Sequence, residues 1–237
     1  MNSDPRRIVV LISGSGTNLQ ALIDAQNTPR LPQTRITLVL SNRKAAYGIT
    51  RAQAANPTIP TAYLALQPYL KTNPGKSRDD YDAQVANIVL KENPDLVVLA
   101  GWMHVFGDGF LDLLYAVKPV EEGSSTQSSE SEPRKPIPVI NLHPALPGAF
   151  DGTNAIERAY EAFQKGEIKH SGVMVHRVVK AVDRGEPVIV KELPIQEGES
   201  LESFAERLHK TEHEIIVDAT KMVLEQVKPV ELENTVY

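Results

Sequence analysis

The chain has 237 residues, 41 % of them apolar, a net charge of −5 and no cysteine. That length suits one large α/β domain or two small ones, and mild acidity without a long basic run argues against nucleic acid or an anionic membrane as partner. The missing cysteines exclude disulfides, thiolate nucleophiles and cysteine-ligated zinc, and fit a reducing compartment.

Residues 7–13 are a β-branched run that stops at glycines, which reads as a strand buried on both faces. Its apolar part, 8–12, is too short for a signal segment or a membrane span, so a soluble, cytoplasmic protein is expected. A helix is predicted over 18–25, a buried strand over 36–40, and a helix over 45–55 that halts at Asn56-Pro57. Residues 58–66 read as a weaker strand interrupted by Pro60. Ser77 is placed to cap a helix over 77–92, stopped by Asn93-Pro94, and 96–100 is the next strand. This alternation predicts a doubly wound, mostly parallel open α/β sheet.

Residues 121–138 interrupt the pattern with serines and acids that bury no apolar surface, so a flexible surface insertion is expected there. A core strand resumes at 138–142, followed by a helix over 154–165, strands over 172–179 and 187–193 around the turn Asp183-Arg184-Gly185, and a long helix over 201–227.

Three places carry chemistry. In Ser13-Gly14-Ser15-Gly16-Thr17-Asn18 the glycines allow backbone N–H groups to approach an anion at a helix N-terminus, and Thr17 and Asn18 suit either capping or phosphate binding. The dinucleotide fingerprint needs a third glycine where Leu19 stands and an acid near Ser41-Asn42, so a lone phosphate is the better ligand. Asn141 and His143 lie two apart on an extended segment and share one side of it, where sheets of this kind bind ligands. With Asp183, a neutral donor, a titratable ring and a carboxylate suit oxyanion stabilisation and proton transfer. Taken singly, Asn141 and His143 read equally well as a cap and a core histidine, and Asp183 as a turn former. His209 and His213 match a zinc-peptidase spacing. That chemistry needs a third ligand, usually downstream, and only 24 residues follow, so no metal is expected.

The stretches 8–20, 96–103, 140–144, 172–176 and 183–189, with Thr211-Glu212-His213, resemble the phosphoribosylglycinamide formyltransferase family, the folate-dependent enzymes of de novo purine synthesis. The resemblance covers nearly everything outside 121–138. The Asn-x-His-Pro set with a distant Asp is shared by 10-formyltetrahydrofolate enzymes of this fold; the Gly-Ser-Gly-Thr-Asn-Leu loop is more specific to the glycinamide ribonucleotide enzyme.

The resemblance implies a single formyltransferase domain over 1–237, with a phosphate-binding half at 1–116 and a catalytic, folate-binding half at 139–237. It implies catalytic roles for Asn141, His143 and Asp183. It implies ribonucleotide binding by Ser15, Gly16, Thr17, Asn18 and Glu212. Folate contacts are implied for Arg78, Met103, His104, Val105, Phe106, Asn141, Val179 and Asp183, although His104 stands where bacterial relatives often carry Arg. The implied substrates are glycinamide ribonucleotide and 10-formyltetrahydrofolate, acting on a monomer or weak homodimer. The loop after His143 and the serine-rich insertion look like a fungal, monofunctional version. The alternatives are another 10-formyltetrahydrofolate enzyme, a deformylase or a methionyl-tRNA formyltransferase, and a non-catalytic nucleotide-binding module on the same fold.

Overall fold

The computed structural model describes residues 4–115 and 135–230. Strand β1 (Arg6–Ile12) shows why the sheet is covered on both sides. Successive side chains of a strand point to opposite faces: Ile8, Val10 and Ile12 enter one core, Val9 and Leu11 the other. A strand apolar on both faces needs a helical layer on each side. On the first side lie α1 (Thr17–Ala25), through Leu19 and Leu22, and the long α7 (Leu201–Val227), through Phe204, Leu208, Ile215 and Ile216. On the second lie α4 (Arg78–Leu90), through Tyr81, Val85 and Val89, and α5 (Asp108–Leu114), through Phe110, Leu111 and Leu114. Each fully buried side chain of this size contributes about 1.5–3 kcal/mol. An exposed pair such as Arg30–Asp218, 2.9 Å apart, adds about 0–1 kcal/mol, so the two apolar layers hold the fold.

The remaining elements are β2 (Thr34–Ser41), α2 (Tyr47–Ala54), β3 (Thr61–Tyr63), α3 (Leu66–Thr72), β4 (Leu96–Leu99), β5 (Val139–His143), α6 (Ala155–Gln164), β6 (His170–Arg177) and β7 (Pro187–Pro194). One seven-stranded sheet has the order β3-β2-β1-β4-β5-β6-β7. Strands β1 to β5 pair parallel, while β6 runs antiparallel to both β5 and β7. The doubly wound, mostly parallel α/β architecture is therefore as expected. The chain leaves β1 in one direction along the sheet and returns to β4 on its other side. That reversal opens a crevice beyond the carboxyl ends of β1 and β4, where such sheets bind ligands.

Local differences have local causes. The weak strand expected over 58–66 shortens to the edge strand β3, and α3 begins at Leu66 with Pro68 inside its first turn, where proline lacks no needed N–H. The strand expected over 172–179 ends at Arg177. Of the expected insertion at 121–138, residues 121–134 lie outside the described residues. Helix α4 begins with a capping box: the Ser77 side chain accepts from the Asp80 N–H, and the Asp80 carboxylate accepts from the Ser77 N–H. Among the described residues no helix is long and apolar enough to cross a membrane.

The loop from β1 to α1 depends on close backbone contact. Gly16 has φ 71°, and a Cβ built on it would lie 2.6 Å from the Gly48 Cα at the start of α2. Gly16→Ala is therefore expected to force the loop off α2 and cost about 1–3 kcal/mol, measured as a lower denaturant midpoint with unchanged slope. An unchanged midpoint would show that the contact yields freely.

Candidate active site

Ser13, the first residue after β1, ties three strand ends together. Its N–H donates to the Gly101 carbonyl at 3.0 Å. Its hydroxyl donates to Asn42 Oδ1 and accepts the Met103 N–H, both at 2.7 Å. The loop that follows opens α1 without any side-chain cap, so of the two readings open for Thr17 and Asn18, capping is not the one the structure shows. Asn18 instead points across to α7, where its Nδ2 donates to Glu212 Oε2 at 3.0 Å. Both are buried, at 8 % and 4 % exposure, and Asn18 Oδ1 has no partner among the described residues. Burial pushes the Glu212 carboxyl up, against the Asn18 hydrogen bond and the nearby His209, which favour its charged form.

Strand β5 places Asn141 and His143 on one side, alternating with the core residues Ile140 and Leu142. Asp183 arrives from the β6–β7 connection with φ 53°, a conformation that Asp and Asn adopt more readily than other side chains. Gly185 lets this connection fold tightly, since a Cβ there would sit 1.6 Å from the Arg177 carbonyl oxygen. The Asp183 carboxylate accepts the Gly152 N–H at 2.9 Å and Asn141 Nδ2–H at 3.3 Å. It also lies 3.5 Å from His143 Nδ1 and 3.4 Å from His176 Nε2. Burial opposes its ionisation. The hydrogen bond from His176, the Gly152 amide and the charges of His143 and His176 outweigh that and hold the carboxyl below the usual carboxylate range. His143 Nε2 faces the Ala149 carbonyl at 3.2 Å, an acceptor for the tautomer that carries its proton there. Two near neighbours on β5 and a carboxylate from the β6–β7 connection thus form one polar cluster with a fixed negative charge.

His176 completes this cluster and was not singled out from the sequence. It is 2 % exposed and is the cross-strand partner of Asn141 in the β5–β6 register. Its Nδ1 faces the Arg177 carbonyl at 2.9 Å, and its Nε2 lies 3.2 Å from Asn141 Nδ2. A His in an apolar strand reads as core from sequence, and only the pairing register reveals it.

Both parts line one cleft of about 830 Å³, a size suited to small-molecule ligands. One end holds Ser15, Gly16, Thr17, Asn18, Glu212 and also His209 and Lys210; the other holds Met103, His104, Val105, Phe106, Val179 and Val182. Asn141, His143, His176 and Asp183 lie in the same cleft. Met103 and Val105 are 62 % and 49 % exposed, an apolar wall with nothing packed on it. Arg78 does not line the cleft. Its guanidinium donates to the Val105 carbonyl at 2.5 Å, which braces that wall from behind. His104 is likewise turned into the protein, with Nε2 2.6 Å from the buried Asp82 carboxylate. His209 and His213 stand one turn apart on α7, yet among the described residues no group of three or more His, Asp or Glu side chains could hold a metal ion.

The model of the formyl transferase family matches residues 6–118 and 132–220. The chain belongs to the formyl transferase family. It is 47 % identical over 219 residues to a phosphoribosylglycinamide formyltransferase of Schizosaccharomyces pombe, covering 92 % of this chain and 96 % of that protein. A protein of the same name from Dictyostelium discoideum is 43 % identical, over 91 % of this chain and 97 % of the other. The structure of glycinamide ribonucleotide transformylase 1 from Symbiobacterium toebii superposes with a TM-score of 0.75 at 31 % identity, covering 94 % of this formyl transferase and 90 % of that one. The fungal-like, monofunctional resemblance of the sequence agrees with the fission-yeast relative.

Proposed function

We propose that this formyl transferase moves the formyl group of 10-formyltetrahydrofolate to the amine of glycinamide ribonucleotide, giving formylglycinamide ribonucleotide for purine synthesis. The observation that carries this reading is the convergence of Asn141, His143 and Asp183 between an amide-rich loop with Glu212 at one end of the cleft and an apolar wall at the other. The support from relatives is that proteins 47 % and 43 % identical to this chain bear this enzyme's name.

In the proposed complex the ribonucleotide's phosphate meets the N–H groups of Ser15, Gly16 and Thr17 at the start of α1. Glu212 holds the glycinamide end. The pterin lies along Met103–Phe106 and Val179; in that wall Arg78 of α4 holds the Val105 carbonyl and Ser13 holds the Met103 N–H. The amine nitrogen attacks the formyl carbon, and the carbonyl electron pair moves to oxygen. Asn141 Nδ2–H and the His143 ring donate hydrogen bonds to that oxyanion; the formyl oxygen takes over a hydrogen that Asn141 now gives to Asp183. One such donor is worth about 10²–10³ in rate. Asp183, ionised, accepts the proton of the new ammonium through water and passes it to N10 as the carbon–N10 bond breaks. Two bound reactants in one cleft also gain from positioning. No step needs a metal. The protein acts in the cytoplasm as a monomer or weak homodimer.

The test is tetrahydrofolate release from 10-formyltetrahydrofolate with glycinamide ribonucleotide, with methionyl-tRNA and with water alone. Fast release is expected only with the ribonucleotide. Equal release without any acceptor would make the protein a hydrolase, and release with the charged tRNA would move it to the other transferase.

A further inference from the structure

The amide loop at the head of α1 is aimed by its own carbonyls. In a trans peptide the C=O and N–H point in opposite directions. The Gly14 carbonyl accepts the Gly48 N–H at 3.2 Å, and the Gly16 carbonyl accepts the Gln20 N–H at 2.9 Å. Between them, the Ser15 carbonyl accepts Arg51 Nε–H at 2.9 Å. All three carbonyls are thereby turned to α2 or into α1, and the N–H groups of Ser15, Gly16 and Thr17 are turned the other way. Among the described residues none of these three N–H groups has a protein acceptor. Successive amides held in this manner form an anion-binding nest.

Two of the three anchors are backbone groups that any residue would supply. The third is a side chain, and it is itself fixed. Arg51 NH1 donates to Gln20 Oε1 at 3.2 Å, and the guanidinium carbon lies 5.1 Å over the Tyr47 ring. A second observation marks this loop as a ligand site: Asn18, 8 % exposed and lining the same cleft, keeps a buried Oδ1 without a partner.

We propose that Arg51 is a positioning residue for the phosphate of the ribonucleotide substrate: by holding the Ser15 carbonyl it aims the Gly16 amide, and its neighbours, at the phosphate oxygens. This rests on the reading of the loop as the ribonucleotide's phosphate site. Arg51 touches the loop from the side away from the amides, so its action passes through the peptide group. Its charge adds to the same end, since after burial it is His209 and Arg51 that push the His213 imidazole down.

The experiment compares the full chain with Arg51→Met and Arg51→Lys. Three quantities are read: KM for glycinamide ribonucleotide, KM for 10-formyltetrahydrofolate, and inhibition by inorganic phosphate against the ribonucleotide. Losing one charge-assisted hydrogen bond is worth about 10–100-fold. Arg51→Met is expected to raise the ribonucleotide KM and the phosphate inhibition constant together on that scale, leaving kcat and the folate KM unchanged, the pattern of lost uniform binding. Arg51→Lys, which keeps a donor and a charge, restores part of the loss. With glycinamide riboside, which lacks the phosphate, the unaltered chain and Arg51→Met turn over at the same rate. Unchanged phosphate inhibition in Arg51→Met overturns the proposal, and so does an equal loss on the riboside, which would mark a merely structural side chain. No inhibition of the unaltered chain by phosphate overturns the phosphate reading of the loop, and this inference with it.

Discussion

Asp183→Asn is expected to lower kcat by about 10²–10⁴-fold while leaving the KM for the ribonucleotide near its original value. The backbone tolerates the change, because Asn accepts φ 53° as readily as Asp. The new amide oxygen can still accept the Gly152 N–H, which donates to Asp183 Oδ2 at 2.9 Å. The other atom becomes an NH₂ group facing Asn141 Nδ2, 3.3 Å away, so two donors meet where donor met acceptor. The negative charge 3.5 Å from His143 Nδ1 is lost, and with it the acceptor for the ammonium proton. Steady-state kinetics with both substrates varied decide the matter. A variant with near-normal kcat would remove Asp183 from the proton path. Stability gives a second readout. The Asp183 carboxyl is depressed in the folded chain, so it contributes stability above the unfolded carboxylate pKa, and that contribution is lost as pH falls through the folded value. Asp183→Asn lacks this acid-side loss.

The legible part of the fold was the part written in long periodic segments. Strand β1 and helix α7 announce themselves, the first by an apolar run ending in glycines, the second by 27 residues whose inward positions recur at helical spacing. Helices α3 and α5 did not, because each has only 7 residues, under two turns of useful periodicity. Asn141 and His143 could be placed on one side of a strand because alternation is a local property. Asp183 could be named as a candidate carboxylate but read alone as a turn former, and Glu212 entered only through resemblance, since convergence across 42 and 194 residues of chain depends on topology. His176 shows the limit most clearly. Its neighbour in the site, Asn141, is its cross-strand partner, and antiparallel register is not written in either strand alone. The roles of Arg78 and His104 were likewise hidden. Arg78 of α4 holds the wall 103–106 at the Val105 carbonyl, and His104 of the wall reaches back to Asp82 of α4, so the wall's shape depends on residues behind it.

Glu212→Gln separates what the buried acid does for the fold from what it does for the substrate. In the folded chain burial raises the Glu212 carboxyl above its ordinary value. A raised acid contributes its stability fully below the unfolded pKa and loses it as pH rises through the folded pKa. Glutamine keeps the shape and the acceptor for Asn18 Nδ2 at 3.0 Å without a charge to bury. The variant is therefore expected to melt at the same temperature as the parent in acid and at a higher temperature toward neutral pH, by roughly 2–4 °C for each kcal/mol regained in a domain of this size. Its KM for glycinamide ribonucleotide is expected to rise roughly 10–100-fold, the worth of one charge-assisted hydrogen bond to the amine end, with the KM for the folate unmoved. A buried, perturbed acid that costs stability belongs to a ligand more often than to a core. A variant that loses stability at neutral pH while keeping its ribonucleotide KM would reverse that assignment and make Glu212 a structural partner of Asn18. Calorimetry across pH and steady-state kinetics on one preparation read both quantities.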